Sequence, residues 1–352
     1  MANEAAVRAT TSLKDLQKRV LVDQERRLRR LFAREQKRTE KLDPELGVMV
    51  SVLSDLSLRG GKRLRPLLAC IGALCHDAKA DLGPVLAAGV SLELLQTYLL
   101  VHDDWMDQDA TRRGGPTAHV LFEKHHKSAF LGERAAILTG DYAIALAQAE
   151  LAALPCPPRN LRAALAAFAR MQVAAVEGQR LDLLADSDPE LTYELKTASY
   201  TVLGPLELGA ALAGATPAQL KSFEGYARSA GVAFQLRDDL LNAFGDPKAT
   251  GKPRGSDLRQ GKKTPLVSEA LRRLKGRDQK KIRLALGAQD ASRAQIDEAL
   301  TLISESGARE AIEARIDALT RAALKSLKRP LMKPLGRSLL EQATHELVER
   351  KS

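Results

Sequence analysis

Apolar residues recur at helical spacing along most of the chain, and no alternating strand pattern of useful length appears. Leu13 to Arg38 reads as a charged amphipathic helix with a sparse apolar stripe of Val20, Leu28, Leu31 and Phe32. From Pro66 onward, long apolar-periodic runs follow one another. They predict helices near 45–57, 63–76, 79–106, 116–128, 132–154, 158–185, 189–203, 204–213, 217–244, 262–274, 278–287, 291–328 (with a break near Gly307) and 335–350. The breaks are Gly60-Gly61, Gly114-Gly115-Pro116, Pro155 to Pro158, Gly214 to Pro217 and Pro247 to Gly255, where glycine and proline punctuate the pattern. No low-complexity linker or fixed-period repeat divides the chain. The expected organisation is a basic amphipathic helical arm over 1–40 packed on one all-α domain over 41–352.

Composition agrees with helix. Apolar residues make up 45% of the 352 positions but aromatics only 4%, whereas a β-sandwich would draw on aromatic and β-branched residues. Cys70, Cys75 and Cys156 form no CxxC pair and read as reduced, inert thiols. The first forty residues are basic and carry no apolar leader. The most apolar long run, Ala135 to Leu154, is interrupted by Asp141, Gln148 and Glu150. The expectation is therefore a soluble cytoplasmic protein without stable membrane insertion. A net charge of +10 points to an anionic partner, nucleic acid or a small polyanion, and composition does not choose between them.

Two acidic helix ends decide more. In His102-Asp103-Asp104-Trp105-Met106-Asp107, Asp103 and Asp107 are four apart and share a helix face, with Gln96 two turns earlier on the same stripe. Three carboxylates at the negative end of a helix dipole repel one another, and a divalent cation resolves that repulsion. Asp109 then leads into Arg112-Arg113-Gly114, whose guanidinium groups suit phosphate oxygens. The second acidic end is Phe234-Gln235-Leu236-Arg237-Asp238-Asp239-Leu240-Leu241-Asn242. A polar loop follows, with Gly251-Lys252-Pro253, Asp257 and Gly261-Lys262-Lys263-Thr264, and its length suits a phosphate-binding lid.

With these pieces in order, the chain resembles the trans-isoprenyl diphosphate synthases, the polyprenyl synthetase family. The resemblance covers Gly60-Gly61-Lys62-Arg63-Leu64-Arg65-Pro66, the DDxxD of Asp103 to Asp107, Gly140-Asp141, Gly178-Gln179 with Asp182, Lys196-Thr197, and Phe234-Gln235 ahead of Asp238-Asp239. It implies an all-α helical bundle around a central cavity, a homodimer, and three Mg²⁺ ions. It also implies roles. Asp103 and Asp107, assisted by Asp104, would hold metal on one side, and Asp238 with Asp257 on the other. Arg112, Lys196, Lys252 and Lys262 would grip the allylic diphosphate. Lys62, Arg65, Gln96 and Arg113 would hold isopentenyl diphosphate. Thr197 and Gln235 would face the reacting carbons. Asn242 departs from the family's usual aspartate, with Asp246 or Asp257 available to supply charge, and Gln96 stands where many bacterial members have histidine.

The chemistry implied is ionisation of an allylic diphosphate (dimethylallyl, geranyl or farnesyl), attack by isopentenyl diphosphate, and proton loss. Tyr98, one and a half turns below Asp103, occupies the family's chain-length position, with Leu99 and Leu94 sharing the tunnel floor. The expected product is C20 geranylgeranyl diphosphate, with C15 farnesyl diphosphate second. Three other readings compete. A class I terpene cyclase would lack a second DD helix and the Gly60 to Arg65 segment. A non-catalytic subunit of a prenyl synthase would have lost an acidic motif. A nucleic-acid binder would leave the paired aspartates unexplained. Trp105 is expected to pack away from the metals. His125-His126 are expected to lie on a solvated helix end without carboxylates nearby. Asp141 is expected either to accept a bond behind the metal ligands or to be buried and hydrogen-bonded.

Overall fold

Several helices begin where short polar side chains satisfy their first N–H groups. A computed structural model describes residues 12–184, 187–246, 254–288, 290–328 and 331–348. Ser12 caps α1 (Leu13–Glu40), accepting from the Asp15 N–H. Asp43 caps α2 (Pro44–Leu58), with Pro44 in the first turn, where its missing N–H costs nothing. Then come α3 (Leu64–His76) and α4 (Leu82–Met106), the latter capped by Asp81. A ribbon of β1 (Thr111–Arg112) and β2 (Gly115–Pro116) precedes α5 (Ala118–His126), α6 (Ala129–Ala152) and α7 (Pro158–Asp182). Next are α8 (Pro189–Tyr193), a π-helical run (Glu194–Leu203), α9 (Gly204–Leu212), α10 (Pro217–Lys221) and α11 (Glu224–Phe244). The last six are α12 (Ser256–Arg259), α13 (Pro265–Arg273), α14 (Gly276–Ala285), α15 (Arg293–Glu305), α16 (Ala308–Ser326) and α17 (Pro334–Val348).

The all-α expectation holds: the chain is about 80% helical. Three local expectations do not. The run 189–203 is a short α-helix followed by ten residues of π-helix. The run 217–244 is interrupted at Ser222-Phe223. The Gly114 break carries a two-residue antiparallel ribbon, too short for any alternation to reveal it.

The described residues form two compact units. One draws on the described residues within 12–170, 204–221 and 331–343, the other on those within 171–203, 222–328 and 344–348. In the first, α4 packs on α6, α3 on α9, and α1 on α2 and α4. The stripe of α1 read from the sequence is its buried face: Val20, Leu28, Leu31 and Phe32 are at most 3% exposed. Helix α4, rather than the run ending at Leu154, is long and apolar enough to cross a bilayer, but 67% of its most apolar stretch is buried within the protein. Within that stretch the buried Glu93 is paired with the buried Arg63. In the second unit α11 packs on α16 and on the π-helical run, and Tyr226 of α11, fully buried, shares a 2.9 Å hydrogen bond with Thr344. Cys70 and Cys75 are buried, and burial pushes both thiols up to about 12, so neither is reactive at neutral pH.

Candidate active site

In the first unit the acidic end of α4 is organised by an arginine. Asp107 terminates the helix, its N–H donating to the Asp103 carbonyl at 2.8 Å. Asp103 and Asp107 lie one turn apart and half-buried, as their spacing required. Asp104 is 2% exposed and accepts from Arg112 Nε at 2.5 Å. Arg112 Nη2 also lies 3.6 Å from Asp103 and 3.8 Å from Asp109. Burial opposes the charge on Arg112, but the three carboxylates, Asp104 foremost, outweigh it and raise its pKa. The guanidinium is thus held among aspartates whose charge it offsets in part.

Arg112 sits on the ribbon, and the ribbon is stitched to the loop before α3. Arg59 Nη1 donates to the Pro116 carbonyl at 2.7 Å and to that of Arg112 at 3.3 Å, while Arg113 Nη1 donates to the Gly60 carbonyl at 2.9 Å. A small, partly open pocket results, lined among others by Gln96, Asp104, Arg112, Arg113, Arg59 and Arg63. Three of the residues expected at the substrates, Gln96, Arg112 and Arg113, therefore share one wall. Lys62 and Arg65 do not line it. Arg63 starts α3 with φ +48 and turns inward to Glu93 and to the Ser57 carbonyl (2.9 Å), leaving Lys62 exposed and Arg65 buried. Arg59 escaped the sequence reading because its work depends on a distant ribbon.

Below the aspartates, the Tyr98 ring packs edge-on against His102, centroids 4.8 Å apart. Leu94 is fully buried; Tyr98 and Leu99 are half-buried. His102 Nε2 is 3.0 Å from the Ile137 carbonyl, and a Cβ on Gly140 would lie 2.3 Å from that nitrogen. Gly140 therefore makes room for the imidazole. Asp141 is not buried: its side chain is 59% exposed and lies 3.8 Å from His102. It reaches the solvent side of α6, which the apolar character of the surrounding sequence concealed. His125 and His126 do end a helix, but a carboxylate is present: Glu45 of α2 is 3.1 Å from His125 Nε2. Trp105 is half-buried.

In the second unit, close packing of glycine builds the site. A Cβ on Gly178 would lie 2.3 Å from the backbone nitrogen of Lys196, so α7 and the π-helical run meet backbone to backbone there. One turn beyond Gly178, Asp182 accepts from Lys196 Nζ at 2.6 Å and lies 3.7 Å from Lys262 Nζ. A single carboxylate thus gathers two cations far apart in sequence. π-helical turns are rare and concentrate at functional sites, and this one carries Lys196 and Thr197. Thr197 Oγ1 donates to Gln235 Oε1 at 2.7 Å, and Gln235 Nε2 donates to Asp239 at 3.2 Å. The Tyr193 hydroxyl donates to the other Asp239 oxygen. Asp239 is fully enclosed, and burial, then Asp257, pushes its carboxyl up to about 8. It differs sharply from the half-buried Asp238 beside it. The second motif is therefore one outward carboxylate and one internal acceptor.

Asn242, the departure from the family's aspartate, braces the next turn. Its amide donates to Ser256 Oγ at 2.7 Å, and its carbonyl accepts from the Asp257 N–H at 3.2 Å. The Lys262 N–H in turn donates to the Asp257 carbonyl at 2.9 Å. Lys252 lies outside the described residues. Asp103 and Asp107 in the first unit, and Asp238 and Asp257 in the second, are all carboxylates, the hard oxygen ligands that Mg²⁺ prefers, so the residues of each unit fit that ion.

Comparison with known proteins places the chain in a family. The Polyprenyl synthetase family profile matches residues 48–303. A short chain isoprenyl diphosphate synthase of Methanocaldococcus jannaschii is 32% identical over 76% of this chain and 82% of its own. A geranylgeranyl diphosphate synthase of Sulfolobus acidocaldarius is 33% identical over 70% of this chain and 74% of its own. The solved geranylgeranyl pyrophosphate synthase of Corynebacterium glutamicum, complexed with isoprenyl diphosphate and magnesium, superposes with a TM-score of 0.89 at 32% identity, covering 96% of this chain and 99% of that one. The chain belongs to the polyprenyl synthetase family, and its helical fold is that of isoprenyl diphosphate synthases.

Proposed function

We propose that this chain is a short-chain trans-prenyltransferase that condenses isopentenyl diphosphate with an allylic diphosphate. Its family, and relatives that make short-chain isoprenyl diphosphates, support the reaction class. The observation that carries the reading is the convergence of Lys196 and Lys262 on Asp182, in a unit that also presents Asp238 and Asp257. Two ammonium groups held by one carboxylate form an anion site, with Asp182 keeping the place of a diphosphate oxygen. Arg112 is positioned in the same manner by Asp104.

Ionising the allylic substrate requires neutralising the departing pyrophosphate. Magnesium supplies that neutralisation when bound. Asp103 and Asp107, assisted by Asp104, and Asp238 with Asp257 are the residues assigned to hold it, with three ions as the expected complement. Lys196, Lys262, Lys252 and Arg112 grip the allylic diphosphate. Gln96, Arg113, Lys62 and Arg65 serve isopentenyl diphosphate. Thr197 donates to the Gln235 carbonyl and Gln235 donates to Asp239, so both side chains are fixed in orientation. The reaction also requires apolar walls, because water would capture the allylic cation.

The assigned product is geranylgeranyl diphosphate, C20, with farnesyl diphosphate, C15, the shorter outcome, and Tyr98, Leu94 and Leu99 as the tunnel floor. A homodimer is supported by Phe130, Leu131 and Leu138 of α6, exposed by 61, 46 and 62%. The test is incubation with Mg²⁺, labelled isopentenyl diphosphate and C5, C10 or C15 primers, followed by chromatographic sizing. Condensation to C20 is the expected result. No elongation from any primer would leave a non-catalytic subunit, and cyclised hydrocarbon would indicate a terpene cyclase.

A further inference from the structure

Glu45, His125 and His126 form the one cluster of three metal-ligating residue types, among the described residues, whose ligand atoms all lie within 4.8 Å of one another. None belongs to the machinery assigned above. Glu45 is in the first turn of α2 and the histidines in the last turn of α5. One carboxylate faces both rings: His125 Nε2 lies 3.1 Å from Oε1, and His126 Nε2 lies 4.0 Å from Oε2. Adjacent residues on a helix diverge by about 100° and do not ordinarily meet at one point. Here the two imidazoles meet edge to face, centroids 4.8 Å apart. His126 is further seated by near-parallel stacking on the buried Phe122, one turn earlier.

We propose that Glu45, His125 and His126 form a surface site for a divalent transition-metal ion, Zn²⁺ by preference. The ligand chemistry favours that class: two neutral imidazoles and one carboxylate suit zinc, whereas magnesium prefers all-oxygen sets with several waters. Bonds of about 2.0–2.2 Å in a tetrahedron place ligand atoms roughly 3.4 Å apart. The 3.1 Å pair already meets that spacing, and the widest pair must close by little more than 1 Å. These are side-chain rotations of residues partly open to solvent, with side chains 60, 40 and 24% exposed, so the ion has access and water completes the fourth position. The α5 terminus adds a favourable field, because the carbonyl end of a helix attracts cations.

The site lies above a packed cluster of Val101, Ala118, Phe122 and Ala136, with Val48, Met49, Val52 and Leu56 of α2 against it. An ion there ties the start of α2 to the end of α5. Its effect is therefore on stability, and its detection does not depend on catalysis.

The experiment measures Zn²⁺ retained by the full chain after dialysis in excess Mg²⁺, which occupies the carboxylate sites of the reaction. Wild type, Glu45→Gln, His125→Ala and His126→Ala are compared, with Lys124→Ala as control. Wild type and the control are expected to retain one more zinc equivalent than the three variants, whose affinity falls by about a hundredfold or more. Zn²⁺ is also expected to raise the melting temperature of wild type but not of His125→Ala. Co²⁺ substitution reads geometry directly, with a tetrahedral visible spectrum in wild type that each variant loses. Equal retention in wild type and variants, or none in wild type, overturns the proposal. So does a Co²⁺ spectrum that the variants leave unchanged.

Discussion

Replacing Gly178 by alanine should disable the enzyme through backbone displacement alone. The added methyl would sit 2.3 Å from Lys196 N, 2.6 Å from Lys196 Cα and 2.8 Å from the Leu195 carbonyl carbon. Ordinary contact begins near 3.4 Å, so α7 and the π-helical run must separate by about 1 Å. No side chain can give way, because every blocking atom is backbone. The shift falls between Asp182 and Lys196, whose 2.6 Å bond lies at the proposed anion site. A displacement of about 1 Å costs roughly 10²-fold in rate, or about 2.7 kcal/mol of transition-state stabilisation. Overpacking costs about 1–3 kcal/mol of stability, partly offset by the roughly 0.5–1 kcal/mol that alanine gains over glycine in a helix. Steady-state kinetics with labelled isopentenyl diphosphate, alongside a thermal melt, should show kcat/KM reduced about a hundredfold in a protein that still folds. Gly225→Ala is the matched control: its methyl meets only Ser326 Cβ, at 3.7 Å, and should leave activity intact. If Gly178→Ala stays within about threefold of wild type, below 0.7 kcal/mol, the close approach is not what positions Lys196.

Tyr98→Ala should lengthen the product by at least one five-carbon unit, since each unit gains roughly 4 kcal/mol on burial at about 0.8 kcal/mol per carbon. Chromatography that finds the same length would remove Tyr98 from the floor. Arg59→Ala breaks the bonds that hold the Arg112-Arg113 ribbon, worth about 0.5–1.5 kcal/mol each, and should raise KM for isopentenyl diphosphate several-fold more than it lowers kcat. Asn242→Ala frees the Ser256-Asp257 turn and should raise the Mg²⁺ concentration for half activity; an unchanged Mg²⁺ titration would separate Asn242 from Asp257. Hydrogen bonds from Arg272 and Arg273 hold the Glu269 carboxyl down at about 2. A depressed carboxyl stabilises above its ordinary value near 4.5 and loses that contribution as pH falls toward 2. The wild-type advantage over Glu269→Gln should therefore be full at pH 6 and shrink across that window in urea titrations. Its size should stay below about 1 kcal/mol, because both arginines are solvent-exposed.

Helix content and most helix boundaries were legible because the periodicity and the punctuation by glycine and proline are local. So were the paired aspartates of α4, since a spacing of four places two side chains on one face whatever the rest of the chain does. The ordered motifs identified the family for the same reason. The π-helical run was not legible: it depends on Gly178 and Gly231, whose missing side chains let α7 and α11 approach its backbone.

The sequence by itself picked out the candidate residues for the chemistry and most of the helices that carry them. Tertiary structure alone decided how they are used. Asp182 became the carboxylate that collects Lys196 and Lys262. Asp239, next to an outward carboxylate and identical to it in the sequence, was desolvated beneath Tyr193. Asn242 became a brace, and Glu45 came to face two histidines on another helix. Each outcome rests on which distant backbones touch and which groups lose water, and neither quantity is a function of spacing along the chain.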